Sequence, residues 1–159
     1  MKRFALPLLL TLTLILAACS TAPSAEPPPT AAAAAASPTG DSTASSELTR
    51  SDQQGMVTVD ITPLNLTSPG DTLEFDIALN THSVDLSMDL ATLANLATDT
   101  GITIQPTLWD APRGGHHVEG KLIFPATVDG KSILEGANNL TLTITDLDVP
   151  SRVFEWQLK

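Results

Sequence analysis

Three histidines are the residues in this chain best suited to chemistry. His82 sits in Asn80-Thr81-His82-Ser83-Val84-Asp85, and His116-His117 follow Arg113-Gly114-Gly115. Imidazole nitrogens are common ligands for borderline divalent metals, and they change charge near neutral pH. Gly114-Gly115 lets the backbone bend so that the two adjacent rings can converge. Regular strand geometry would point them to opposite faces. Three imidazoles with the Asp85 carboxylate form a donor set suited to Cu(II) or Zn(II). Met88 would add a soft thioether for Cu(I), and Trp109 could lie nearby. The same residues also have a plainer reading. In it, His82 hydrogen-bonds a neighbouring carbonyl or caps a turn, and His116-His117 form an exposed loop or pack against Trp109.

Other chemistries find little support. The chain lacks a Gly-x-Ser-x-Gly elbow, a phosphate-cradling Gly-rich loop and a His-Glu-x-x-His motif. Asp60, Glu74 and Asp76 alternate with apolar residues and so read as a solvated strand face. With 18 acidic residues against 8 basic ones, the net charge is −10, the wrong sign for a phosphate backbone. Six aromatic residues, none of them Tyr, leave little for base stacking. The expectation is a non-enzymatic protein with no nucleic-acid partner. A single Cys excludes an internal disulfide and any multi-thiolate metal site.

That Cys has its own context. Lys2 and Arg3 precede an almost wholly apolar run from Phe4 to Leu16, which ends in Leu16-Ala17-Ala18-Cys19. The run is too short for a spanning helix, which needs about 20 residues. Charge, apolar run, Leu-Ala-Ala-Cys and polar tail, in that order, resemble the signal and lipobox of bacterial lipoproteins. The resemblance covers residues 1–19. It implies diacylglycerol transfer to the Cys19 thiol, cleavage before Cys19 and acylation of the new terminus. Each buried methylene contributes about 0.8 kcal/mol, so two or three chains hold where one holds only marginally. The implied location is the bacterial cell envelope, lipid-anchored and facing away from the cytoplasm. In that family an Asp after the Cys often retains the protein in the inner membrane of two-membrane bacteria. Ser20 stands there instead.

Residues 19–54 read as a disordered linker. They are rich in Ala, Pro, Ser and Thr, with Pro27-Pro28-Pro29 and six alanines from Ala31 to Ala36. No periodic apolar face exists to build a core. As a flexible coil the segment would span about 30 Å. Loss of Lys2 and Arg3 with the signal takes the formal charge from −10 to −12. An acidic domain is repelled by an anionic bilayer, so the lipid on Cys19 would be the membrane contact.

The elements that must position the histidines lie in residues 55–159. From about Met56 the hydrophobic period becomes two. Val57, Val59 and Ile61 alternate with polar residues, as do Leu73, Phe75, Ile77 and Leu79. Ser68-Pro69-Gly70-Asp71 is a turn signal between them. Further strands are expected at Ile102–Ile104, at Val118–Phe124 closed by Pro125, at Leu140–Ile144 and at Phe154–Leu158. Asp129-Gly130 marks a hairpin turn. Trp109 and Trp156 read as core. In residues 83–98 the leucine spacing is helical, which predicts a short strand at 84–88 and then a short helical turn near 90–98 capped by Asp89. The whole reads as an all-β, antiparallel two-sheet β-sandwich, immunoglobulin-like or cupredoxin-like. Two functions fit it: a domain that binds something outside the membrane, with a metal at His82, His116, His117 and Asp85 as one candidate, or a purely structural or protein-interaction module.

Overall fold

The two-residue period in the second half of the chain becomes two antiparallel sheets in the computed structural model, which describes residues 47–158. Alternate strand residues share a face, so an apolar residue at every second position buries one side. Strand β1 (Arg50–Asp52) pairs with β2 (Val57–Pro63), and β2 with β3 (Thr72–Thr81). In the β2–β3 pair Val59 faces Leu79 and Ile61 faces Ile77. The helix α1 (Leu90–Leu93) and strands β4 (Ala94–Thr98), β5 (Thr103–Ile104) and β6 (Leu108–Asp110) follow. Then β7 (His117–Pro125) takes the free side of β3, setting Phe75 opposite Leu122. A small hairpin, β8 (Thr127–Val128) with β9 (Lys131–Ser132), precedes β10 (Asn139–Leu147) and β11 (Val149–Gln157). The five-stranded sheet has the order β1-β2-β3-β7-β6, and the four-stranded sheet β11-β10-β4-β5.

The inner faces of the two sheets meet in one apolar core. Val57, Val59, Ile61, Leu73, Phe75 and Phe124 come from the first sheet, and Leu96, Leu142, Ile144, Phe154 and Trp156 from the second. Phe75 bridges them: its ring centroid is 5.5 Å from that of Trp156 and 5.6 Å, edge-on, from that of Phe124. Both tryptophans are buried, as expected. The domain is an all-β antiparallel sandwich.

Local sequence signals explain several turns. At Asp129-Gly130 both residues have positive φ, 51° and 76°, the geometry of a primed hairpin turn. Between β2 and β3 the Asn65 side chain clips the turn, accepting from the Glu74 amide at 3.0 Å and donating to the Thr72 carbonyl at 2.8 Å.

Residues 83–98 differ from expectation. Asp89 does cap a helix, accepting from the Ala91 amide at 3.0 Å, but α1 has only four residues. Ala94–Thr98 is a strand, with Ala94, Leu96 and Thr98 buried. It lies inside the second sheet between β10 and β5, where its backbone finds partners on both sides. Leu90, Leu93 and Leu96 fit a helical spacing, but Leu96 also fits the strand's own alternation, and sheet pairing decides between them. No strand forms at 84–88. The ordered domain also begins before residue 55. β1 lies upstream, the Leu48 carbonyl accepts from Trp156 Nε1 at 2.6 Å, and Arg50 Nε donates to the Glu155 carbonyl at 3.0 Å. The signal segment 1–18, Cys19 and the linker as far as residue 46 lie outside the described residues.

Candidate strand-end histidine site

The two histidine segments meet at one end of the sandwich, and backbone pairing brings them together. The chain leaving β3 runs beside the chain entering β7. The Thr81 amide donates to the His116 carbonyl at 2.9 Å, and the Leu86 amide to the Gly115 carbonyl at 3.0 Å. The Gly114 amide returns a bond to the Leu86 carbonyl at 3.1 Å. Gly114 and Gly115 have φ of 87° and 100°, a left-handed stretch that residues with a Cβ adopt only with strain. Thr81 anchors the inner side. Its buried hydroxyl donates to the Met56 carbonyl at 2.8 Å and accepts from the amides of Ser83 and Val84. Leu86 is buried in the core, with Val84 and Met88 packed against its margin.

Three side chains at this end, those of Asp85, His117 and Arg113, have partners of their own. Asp85 Oδ1 accepts from the Gly115 amide at 3.0 Å, so its carboxylate fastens the second loop to the first. His117 Nδ1 lies 2.7 Å from Asn80 Oδ1, its cross-strand neighbour. Sequence reading passed over Asn80, though its place directly before Thr81-His82 and opposite His117 follows from the β3–β7 register. Arg113 forms an ion pair with Asp89 at 2.8 Å. The Asp89 carboxyl is held below its usual range by that guanidinium and by the Ala91 amide. His82, His116 and His117 are all exposed. Among the described residues no three His, Cys, Asp or Glu side chains stand together so as to hold a metal ion. Met88 and Trp109 face the core and do not complete a ligand set.

A second feature at the same end carries a buried charge. Arg152 is fully buried on the inner face of β11. It pairs with Asp52 of β1, donates to the Gln54 carbonyl at 2.6 Å, and donates through Nε to the Leu147 carbonyl at 3.2 Å. Burial pushes the Asp52 carboxyl up, but hydrogen bonds from Gln54 and the Arg152 guanidinium outweigh it and hold the group below its ordinary value. The arrangement ties the first sheet's edge to the second sheet. Sequence offered one weak signal for it: Arg152 falls at the inward phase of the Phe154, Trp156 alternation.

An apolar groove of about 380 Å³ opens beside the β2–β3 turn, away from the histidines, lined by Leu48, Leu66, Leu134, Ala137 and Leu158. Among the described residues no titratable side chain lines it. Among the described residues no helix is long and apolar enough to cross a membrane. No known protein family, curated protein or solved structure matches this chain.

Proposed function

We propose that this chain is a lipid-anchored lipoprotein of the bacterial cell envelope that holds a non-enzymatic β-sandwich outside the cytoplasm as a protein-interaction module. The anchor rests on Lys2-Arg3, the apolar run and Leu16-Ala17-Ala18-Cys19. One observation favours interaction over small-molecule chemistry: the histidine loops are fastened by backbone bonds and by Asp85, and no ligand set gathers there among the described residues. The linker supplies reach and the sandwich supplies a surface.

A second reading keeps one observation in its favour, that the loops of His82 and His116-His117 do meet. It makes the domain a Cu or Zn carrier through His82, His116, His117 and Asp85. Calorimetric titration of the chain with Cu(II) and with Zn(II) at neutral pH separates the two. The interaction reading expects no micromolar binding that depends on these histidines. Binding at micromolar levels that is lost in His116→Ala and His117→Ala, and lost on acidification below about pH 6 as imidazole protonates, would replace it with the metal reading.

A further inference from the structure

Sandwich domains present sheet edges, and unprotected edges pair with other strands. Three of the four edges of the larger sheets here are very short: β1 and β6 have three residues each and β5 has two. The fourth, β11, has nine and, among the described residues, pairs only with β10. Its geometry is regular. The Leu158 amide donates to the Asn138 carbonyl at 2.8 Å, which places the backbone groups of Arg152, Phe154 and Trp156 toward β10. Ser151, Val153, Glu155 and Gln157 therefore turn their N–H and C=O outward. The Arg50 bond to the Glu155 carbonyl, which arrives from outside the sheet, agrees with this. Arg152 is the strand's inward-pointing charge, and Arg50 reaches its outer edge at one carbonyl, that of Glu155. β11 carries no Lys. Pro150 stands at the phase that faces β10, so it removes no outward donor. Val153, at the strand's midpoint, is 54% exposed.

We propose that β11 is a self-association edge: two copies of this chain pair their β11 strands antiparallel about a two-fold axis through Val153, joining the two four-stranded sheets into one. The strand is self-complementary in this register. Val153 faces Val153 of the second copy, Ser151 faces Glu155, and Val149 faces Gln157. The outward-phase residues all pair, and each exchanges backbone hydrogen bonds with its partner. Glu155, the only charged side chain of the outward phase, meets Ser151 and not its own copy, so no like charges oppose one another. The central valines cover each other's exposed apolar surface. Arg50 can stay in place, because a carbonyl oxygen accepts two hydrogen bonds. Closed two-fold pairing uses up both edges and stops further growth. The proposal rests on the fold alone and is independent of the lipid anchor.

The test uses the full chain in detergent with Cys19→Ser, so that any introduced thiol is the only one. Opposed residues of a hydrogen-bonded antiparallel pair have Cα atoms about 5.5 Å apart, inside the range a disulfide spans. Mild oxidation should cross-link Val153→Cys into a covalent dimer. It should leave Val128→Cys, an exposed valine on the β8–β9 hairpin, as monomer. Light scattering at micromolar concentration should give a dimer mass for the parent chain and a monomer mass for Val153→Lys. A monomeric parent chain, equal cross-linking of both cysteine variants, or a dimer mass unchanged by Val153→Lys would overturn the proposal. Should Val153→Lys lose its β-sheet circular dichroism, the cross-linking comparison decides alone.

Discussion

The residue that departs most from a plain sandwich is Arg152. A guanidinium with no exposure costs several kcal/mol to desolvate, and its partners must repay most of that. Removing one partner therefore destabilises more than removing both. We predict that Asp52→Ala lowers unfolding free energy by about 3 kcal/mol in urea titration at neutral pH, because it leaves the charge buried and unopposed. The double change Asp52→Ala with Arg152→Met should cost less than Asp52→Ala alone. If the single and double changes cost the same, the penalty lies in lost packing and not in the orphaned charge. The pH dependence has a definite sign. The Asp52 carboxyl titrates below its ordinary value of 3.8 in the folded chain. The unfolded chain then binds the proton first on acidification, so this stabilisation is complete well above 3.8 and is lost as pH falls through the folded pKa. The stability gap between the parent chain and Asp52→Asn should hold constant above about pH 5 and close below that. A gap that widened on acidification would mean that the carboxyl is raised.

At the scale of elements, close backbone approach sets the tolerances. A Cβ on Gly120 of β7 would lie 2.3 Å from the Ala111 Cβ and 2.5 Å from the Asp110 carbonyl oxygen. Neither atom can swing aside as a flexible side chain does. Gly120→Ala should cost about 1–3 kcal/mol, measured as a loss in thermal or urea stability. Gly70, in the β2–β3 turn, has nothing within 4 Å of such an atom and no positive φ. Gly70→Ala should be neutral or add up to about 1 kcal/mol through the unfolded chain. Equal effects at the two sites would contradict the tight β6–β7 contact. The segment before β2 also belongs to the domain. A chain begun at Gly55 loses β1, the Leu48 carbonyl that receives the Trp156 indole N–H, and the Asp52 partner of Arg152. It should unfold at a lower urea midpoint than one begun at Glu47. Matching midpoints would place the domain start at 55 after all.

For the whole molecule, what was legible in the sequence is what repeats. β2, β3, β7, β10 and β11 each alternate over seven to ten residues, and their phase marks the buried face on which Phe75 and Trp156 lie. What escaped was decided by neighbours distant in sequence. Ala94–Thr98 carries a local helical spacing but is held between β10 and β5. Arg50–Asp52 has no apolar period and is fixed by its register with β2 and by Arg152. The histidine site was partly legible. Gly114-Gly115 and the strand ends do bring His82 and His116-His117 to one place, but Asp85 there fastens a loop, and His117 lies against Asn80. Ligand geometry depends on where each ring points, and spacing along a chain does not set that.

In the proposed reading the domain presents a surface, and its role depends on where it is held. In the proposed lipoprotein reading, that depends on Cys19. Mass spectrometry of the N-terminal peptide, together with membrane fractionation of bacteria producing the full chain, tests this most directly. We predict a mature chain that begins at Cys19, carries a diacylglyceryl group and sediments with membranes, while Cys19→Ala yields no lipid-modified terminus. A soluble chain with Cys19 unmodified would contradict the account.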